Sequence, residues 1–137
     1  MILVDSSVWI DFFTARETPE TDLLKESLPI RRIFTADLVL AEVLQGARSD
    51  RQFELMRDLL LGLDVITVSD GEVAVTAAAH FRTLRARGIT VRKTIDTLIA
   101  TRCILDRTLL LYRDRDFEPF VDHLGLRSAM AFFRKAS

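Results

Sequence analysis

Four carboxylates stand where a carboxylate is either costly or well placed for use: Asp5, Glu42, Asp96 and Asp114. Asp5 follows the apolar run Met1-Ile2-Leu3-Val4, and Asp114 follows Leu109-Leu110-Leu111-Tyr112-Arg113. Glu42 lies inside Leu38–Leu44, apolar on every side of a helix, where a bare charge is costly to bury unless it is paired or bound to metal. Asp96 falls in the first turn of a helix capped by Thr94, just behind Arg92 and Lys93, at the positive helix end that favours acids. Each has an ordinary explanation. Asp5 can cap the following helix, Asp96 can serve the helix end, and Glu42 can share an exposed stripe with Gln45. Brought together, however, like charges would raise one another's pKa and strain the fold. A divalent cation removes that conflict.

All-oxygen ligands suit Mg²⁺ or Mn²⁺, which keep several waters and share phosphate oxygens. Such an ion activates a water and neutralises charge building on a phosphodiester, and a second ion can enter with the substrate. Asp116 is a fifth acid, placed either to help hold a second ion or a water, or to cap a turn beginning at Phe117. Ser6 and Ser7 offer hydroxyls to a phosphate, to Asp5, or to the helix start. His80 and His123 sit in polar settings and read as surface residues, so no histidine base is needed.

The elements that must position these acids alternate between strand and helix. Strands are expected at Met1–Val4, Ile33–Thr35, Val65–Val68 and Leu109–Arg113. Helices are expected over Val8–Phe13, Glu20–Ser27, from a cap at Asp37 to Gly46, from a cap at Asp50 to Gly62, over Gly71–Arg87, and over Thr94–Asp106 with Ile95, Ile99 and Cys103 buried. A short helical turn follows Phe117, with a last edge strand near Leu124–Leu126, and the tail from Met130 to Ser137 carries no clear pattern. Alternation of this kind implies one α/β domain spanning 1–137, a parallel sheet with helices on both faces. Ligands of such sheets sit beyond the carboxyl ends of the strands, where Asp5 and Asp114 stand.

Composition agrees with a globular chain: 49% of residues are apolar and 28% charged, which excludes disorder. The net charge of -1 selects no partner, but its distribution is uneven. From Arg82 to Arg115 there are nine basic residues against three acids, and elsewhere ten against seventeen. A cationic third attracts polyanions. Cys103 is alone and reads as a buried thiol. The N-terminus lacks the features of a signal peptide and no apolar run is long enough to span a membrane, so a soluble cytoplasmic protein is expected.

The four acids and their surroundings resemble the PIN-domain nucleases, most closely the VapC toxins of bacterial toxin–antitoxin pairs. The matching stretches are Val4-Asp5-Ser6-Ser7-Val8-Trp9-Ile10-Asp11, Leu40-Ala41-Glu42-Val43-Leu44-Gln45-Gly46, Lys93-Thr94-Ile95-Asp96-Thr97-Leu98-Ile99-Ala100 and Leu111-Tyr112-Arg113-Asp114-Arg115-Asp116-Phe117. The likeness runs from Met1 to about Phe120 and fades after Asp122. Tyr112 stands where the family more often has a small hydroxyl residue. The resemblance implies an α/β/α sandwich with a central parallel sheet of four to five strands, and Mg²⁺- or Mn²⁺-dependent cleavage of RNA. Asp5 and Asp96 would be the chief metal ligands, with Glu42 and Asp114 completing the acidic site. It also implies a homodimer and a VapB-type antitoxin covering the site. RNA phosphates would pass Arg92, Lys93 and Arg115, with Ser6 as a further contact. Trp9, Phe12 and Phe13 belong either to the core or to a partner interface.

Two other readings compete. A phosphatase or phosphotransferase would use Asp5 as a covalent nucleophile, but haloacid-dehalogenase-like enzymes need a second acid two residues on, where Ser7 stands. A non-catalytic binding module of the same fold would act only through a partner, and has no use for a full acid set.

Overall fold

Apolar runs three or four residues long lie side by side at the centre of the computed structural model, which describes residues 1–134. Among these residues, strands β1 (Ile2–Val4), β2 (Ile33–Ala36), β3 (Asp64–Ile66), β4 (Leu109–Leu111) and β5 (Arg127–Ser128) form one sheet in the order β3-β2-β1-β4-β5, all parallel. Ile2 lies opposite both Ile33 and Leu109, and Val4 opposite Leu111. The three inner strands are buried throughout, the usual state of a parallel sheet covered on both faces. The edge strand β3 is largely exposed.

The helices are α1 (Ser6–Phe13), α2 (Pro19–Ser27), α3 (Asp37–Gln45), α4 (Asp50–Leu61), α5 (Gly71–Ala86), α6 (Thr94–Asp106), α7 (Glu118–Leu124) and α8 (Ala129–Phe133). A single 3₁₀ turn, Arg115–Phe117, precedes α7. α1 packs on α2 and α3, and α3 on α4; α5 packs on α6 and α7. The α/β fold with a five-stranded parallel sheet is as the sequence predicts. Trp9 is fully buried in the core, and Phe12 and Phe13, at ring-centroid distances of 5.7 and 5.9 Å, are half-buried and pack against it. Cys103 is buried as expected, and burial pushes its thiol pKa up. Tyr112 is buried too, with its ring 5.3 Å from that of Phe117.

Several boundaries differ from expectation, each for a local reason. Asp5 itself caps α1, so that helix starts at Ser6 rather than Val8. Asp37, Asp50 and Thr94 are first helical residues and not caps; Ala36, Ser49 and Lys93 hold those positions. β3 stops at Ile66 because the Val68 amide donates to Asp37 Oδ1 (2.9 Å) instead of to the sheet. β4 stops at Leu111 and the Arg113 amide turns to Ser7 Oγ (3.3 Å). The last strand lies at Arg127–Ser128 and not near Leu124–Leu126. Gly125, at φ +83, closes α7 there, and the Leu126 amide donates to the Phe120 carbonyl (3.1 Å). Ile95, expected in the core, is 38% exposed. His80, expected on the surface, is half-buried with Nδ1 2.9 Å from Thr101 Oγ1. Residues 135–137 of the patternless tail lie outside the described residues; Met130 to Phe133 is helical.

Candidate metal centre

β1 and β4 end side by side, and that adjacency builds the site. The Asp5 amide donates to the Leu111 carbonyl (2.9 Å), continuing the β1–β4 pairing by one residue. Asp5 and the segment after β4 therefore leave the sheet together. Asp114 follows three residues beyond Leu111, caps the 3₁₀ turn, and accepts from the Asp116 amide through Oδ1 (2.9 Å). Asp96 arrives from the first turn of α6 and Glu42 from the middle of α3.

Asp96, Asp114 and Asp116 each place one carboxylate oxygen within 4.8 Å of the other two. Asp5 and Glu42 are not part of this tightest trio, but the charges interact. Asp96 feels Asp5, Asp114 and Glu42, and Asp5 feels Asp114. The buried carboxyl of Asp96 is pushed up to about 7, first by desolvation and then by the charge of Asp5. Asp5 is raised as well, by burial, against the pull of hydrogen bonds from Ser7 and the Ser6 backbone. Glu42 is raised by burial and by Asp5. Asp114 goes the other way. Its own partial burial would raise it, but the hydrogen bond from Lys93, the Asp116 amide and the charges of Lys93 and Arg113 together hold it below the usual range.

Among the described residues three buried carboxylate oxygens have no hydrogen-bond partner, Glu20 Oε2 on α2 and two that belong to these interacting acids, Asp5 Oδ1 and Asp96 Oδ2. Buried polar atoms are nearly always partnered. Free lone pairs in an all-oxygen cluster are what a hard divalent cation takes up, so the trio Asp96, Asp114 and Asp116 fits such an ion, with the charge of Asp5 acting on it.

The serines act within the protein. Ser7 Oγ donates to Asp5 Oδ2 (2.6 Å), which also accepts from the Ser7 amide (3.1 Å), so Ser7 orients Asp5. Ser6, expected at a phosphate, donates to Glu42 Oε1 (3.2 Å). Lys93, also expected at a phosphate, reaches into the acids, with Nζ 2.7 Å from Asp114 Oδ2, 3.7 Å from Asp116 Oδ2 and 3.9 Å from Asp96 Oδ2. Arg92 and Arg115 are exposed. They line a cavity of about 360 Å³ with Ile89, Val91, Asp116 and Pro119, directly beside the acids.

One feature was not foreseen from the sequence. Asp11 on α1 is only 4% exposed, and Arg113 donates to it through Nε (2.5 Å). Asp11 lies in the apolar helical run Val8–Phe13, the same signal that singled out Glu42.

Residues 2–120 match the family described as PIN domain. The chain is 30% identical over 131 residues to "Ribonuclease VapC11" of Mycobacterium tuberculosis, an alignment covering 94% of this chain and 98% of that one. Among solved structures it is similar to VapBC2 from Rickettsia felis bound to a DNA fragment from its promoter, with a TM-score of 0.71, 20% identity, and 93% and 97% of the two chains covered. A toxin–antitoxin complex from Klebsiella pneumoniae gives a TM-score of 0.70 at 22% identity over 93% and 97%.

Proposed function

The chain belongs to the PIN-domain family, with VapC ribonucleases among its relatives, and on that premise we propose that it is an endoribonuclease, the toxin of a VapBC-type toxin–antitoxin pair. It hydrolyses RNA phosphodiester bonds with a water activated by Mg²⁺, for which Mn²⁺ can substitute. The observation that carries this reading is the pair of buried, unpartnered oxygens of Asp5 and Asp96 within a set of mutually repelling acids. Asp5, Asp96, Asp114 and Asp116 would hold the ion. When bound, that ion supplies an acidified water and neutralises charge at phosphorus. The chain supplies the rest. Ser7 fixes Asp5, Ser6 fixes Glu42, and Glu42, with raised proton affinity, is able to hold or pass a proton. Arg92 and Arg115 stand beside the acids, where an RNA backbone would pass.

Support for an antitoxin comes from the toxin–antitoxin complexes among the similar structures. A homodimer and a cytoplasmic location complete the proposal; no helix among the described residues is long and apolar enough to cross a membrane. The nucleophile reading is disfavoured by Asp5 itself, which is 3% exposed with Oδ2 engaged twice by Ser7.

The test is incubation of the antitoxin-free protein with total RNA, in Mg²⁺ or in EDTA, beside Asp5→Asn. Cleavage by the wild type in Mg²⁺ alone is expected, reduced at least about a hundredfold in the variant. A phosphoenzyme, or no cutting of any RNA by folded protein, would overturn the reading. Sequencing the cleaved ends would identify the RNA.

A further inference from the structure

The amino acid that intrudes on the acid cluster is a cation. Lys93 precedes α6 with extended backbone (φ -115, ψ 111), which sends its side chain across the helix start toward the segment after β4. Its Nζ lies 2.7, 3.7 and 3.9 Å from one oxygen each of Asp114, Asp116 and Asp96. These are the three residues whose oxygens gather within 4.8 Å. The ammonium therefore stands in the space that a shared ion would need. A metal at about 2.1 Å from those oxygens would use the same lone pairs and would repel the ammonium. Nor does Lys93 complete the site, because Asp96 Oδ2 stays buried without a hydrogen bond. The lysine side chain is 54% exposed and its stem is flexible, so it has somewhere to go.

We infer that Lys93 is a tethered counter-ion that contends with the divalent cation for Asp96, Asp114 and Asp116. The inference rests on the metal-centre reading above. Without metal, the single charge of Lys93 relieves the repulsion among the acids and keeps the site assembled. Metal entry expels the ammonium, which is then free for a polyanion. Two counter-ions thus alternate at one place, and the apparent metal affinity is set by how often Lys93 is out. If Lys93 is in for about nine molecules in ten, it lowers that affinity about tenfold.

The experiment is calorimetric titration of the full, antitoxin-free chain with Mn²⁺ alone, using wild type, Lys93→Met and Lys93→Arg. Thermal unfolding is followed in EDTA and in Mn²⁺. Lys93→Met should bind Mn²⁺ about tenfold more tightly, unfold at lower temperature in EDTA, and gain more from the metal. Lys93→Arg, which keeps the charge, should stay near wild type. Equal or weaker Mn²⁺ binding by a folded Lys93→Met overturns the competition while sparing the metal centre. No Mn²⁺ binding by either protein overturns both. The chain has three lysines, Lys25, Lys93 and Lys135, so the Lys93 side-chain ¹³Cε resonance can also be followed in the wild type. It should move on saturation with diamagnetic Mg²⁺, and a stationary signal would refute displacement even if the variant failed to fold.

Discussion

Arg113 and Asp11, 102 residues apart in the chain, meet in a hydrogen-bonded ion pair whose acid is almost wholly buried. It fastens the middle of α1 to the residue just before Asp114, so the two segments that deliver Asp5 and Asp114 are tied to each other outside the acid cluster. Removing one member of a buried pair leaves the other charge uncompensated, at a cost of about 3–5 kcal/mol. Arg113→Met should fall near the lower end, about 3 kcal/mol, because the arginine is partly open to solvent. Urea unfolding of the single and double variants would measure it, and a coupling energy near zero would show the pair to be idle.

Ser7 links the same two segments at shorter range. It accepts from the Arg113 amide (3.3 Å) and donates to Asp5 (2.6 Å). Ser7→Ala should cost about 1 kcal/mol of stability and lower RNA cleavage about tenfold by letting Asp5 turn. Ser6→Ala should act instead through Glu42. Single-turnover cleavage rates at saturating Mg²⁺ would compare the two, and full activity of Ser7→Ala would remove the positioning role.

Protons and metal should exchange roles with pH. Asp5, Glu42 and Asp96 all hold protons more tightly when folded, Asp96 up to about 7. At these three groups the native state binds more protons than the unfolded chain from about pH 4 to about pH 7, and their contribution to stability falls as pH rises through that window, while His80, lowered by burial, acts in the opposite sense. Asp114 is shifted downward, so its contribution is already present above pH 4 and does not offset the fall. In EDTA the loss assignable to Asp96 should be about 2 kcal/mol, the full linkage value being trimmed by solvent near the cluster. Saturating Mn²⁺, which needs ionised ligands, should flatten the slope. Unfolding curves from pH 4.5 to 8 would show it, with Asp96→Asn lacking that part of the fall.

Arg92 and Arg115 should act on RNA through charge alone. Each phosphate contact on a single strand contributes about 0.7 to the slope of log affinity against log salt. Arg92→Gln and Arg115→Gln should each lower the slope by about that amount and weaken all RNA sequences alike. Binding measured in EDTA, where cleavage is halted, would test this; sequence-dependent loss would instead implicate base recognition in the cavity they line.

How much of this was legible depended on the range of the interaction. β1 and β4 are read from sequence because strands buried on both faces are unbroken apolar runs, and the acids that end them are conspicuous. Glu42 is legible as a charge in an apolar helix. The end of β3 is not, because Val65-Ile66-Thr67-Val68 is uniformly strand-like and the group that captures the Val68 amide is Asp37, 31 residues earlier. β5 is two residues, Arg127 and Ser128, with no apolar pattern to find. Lys93 was legible as a cation near the site, but its direction, inward to Asp114, depends on backbone angles at the start of α6 that no spacing rule gives.

The strand translated first is the one that lies in the middle of the sheet, and its neighbour β4 is made more than a hundred residues later. At about 5–20 residues per second, a growing polypeptide carries Asp5 for several seconds before Leu109–Leu111 can dock beside it. A ribosome that stalls earlier, or a message truncated before that codon, releases a fragment without Asp114 or Asp116. Lacking two of its acids, such a fragment cannot assemble the cluster, so the site comes into being only once β4 and the turn after it have been made.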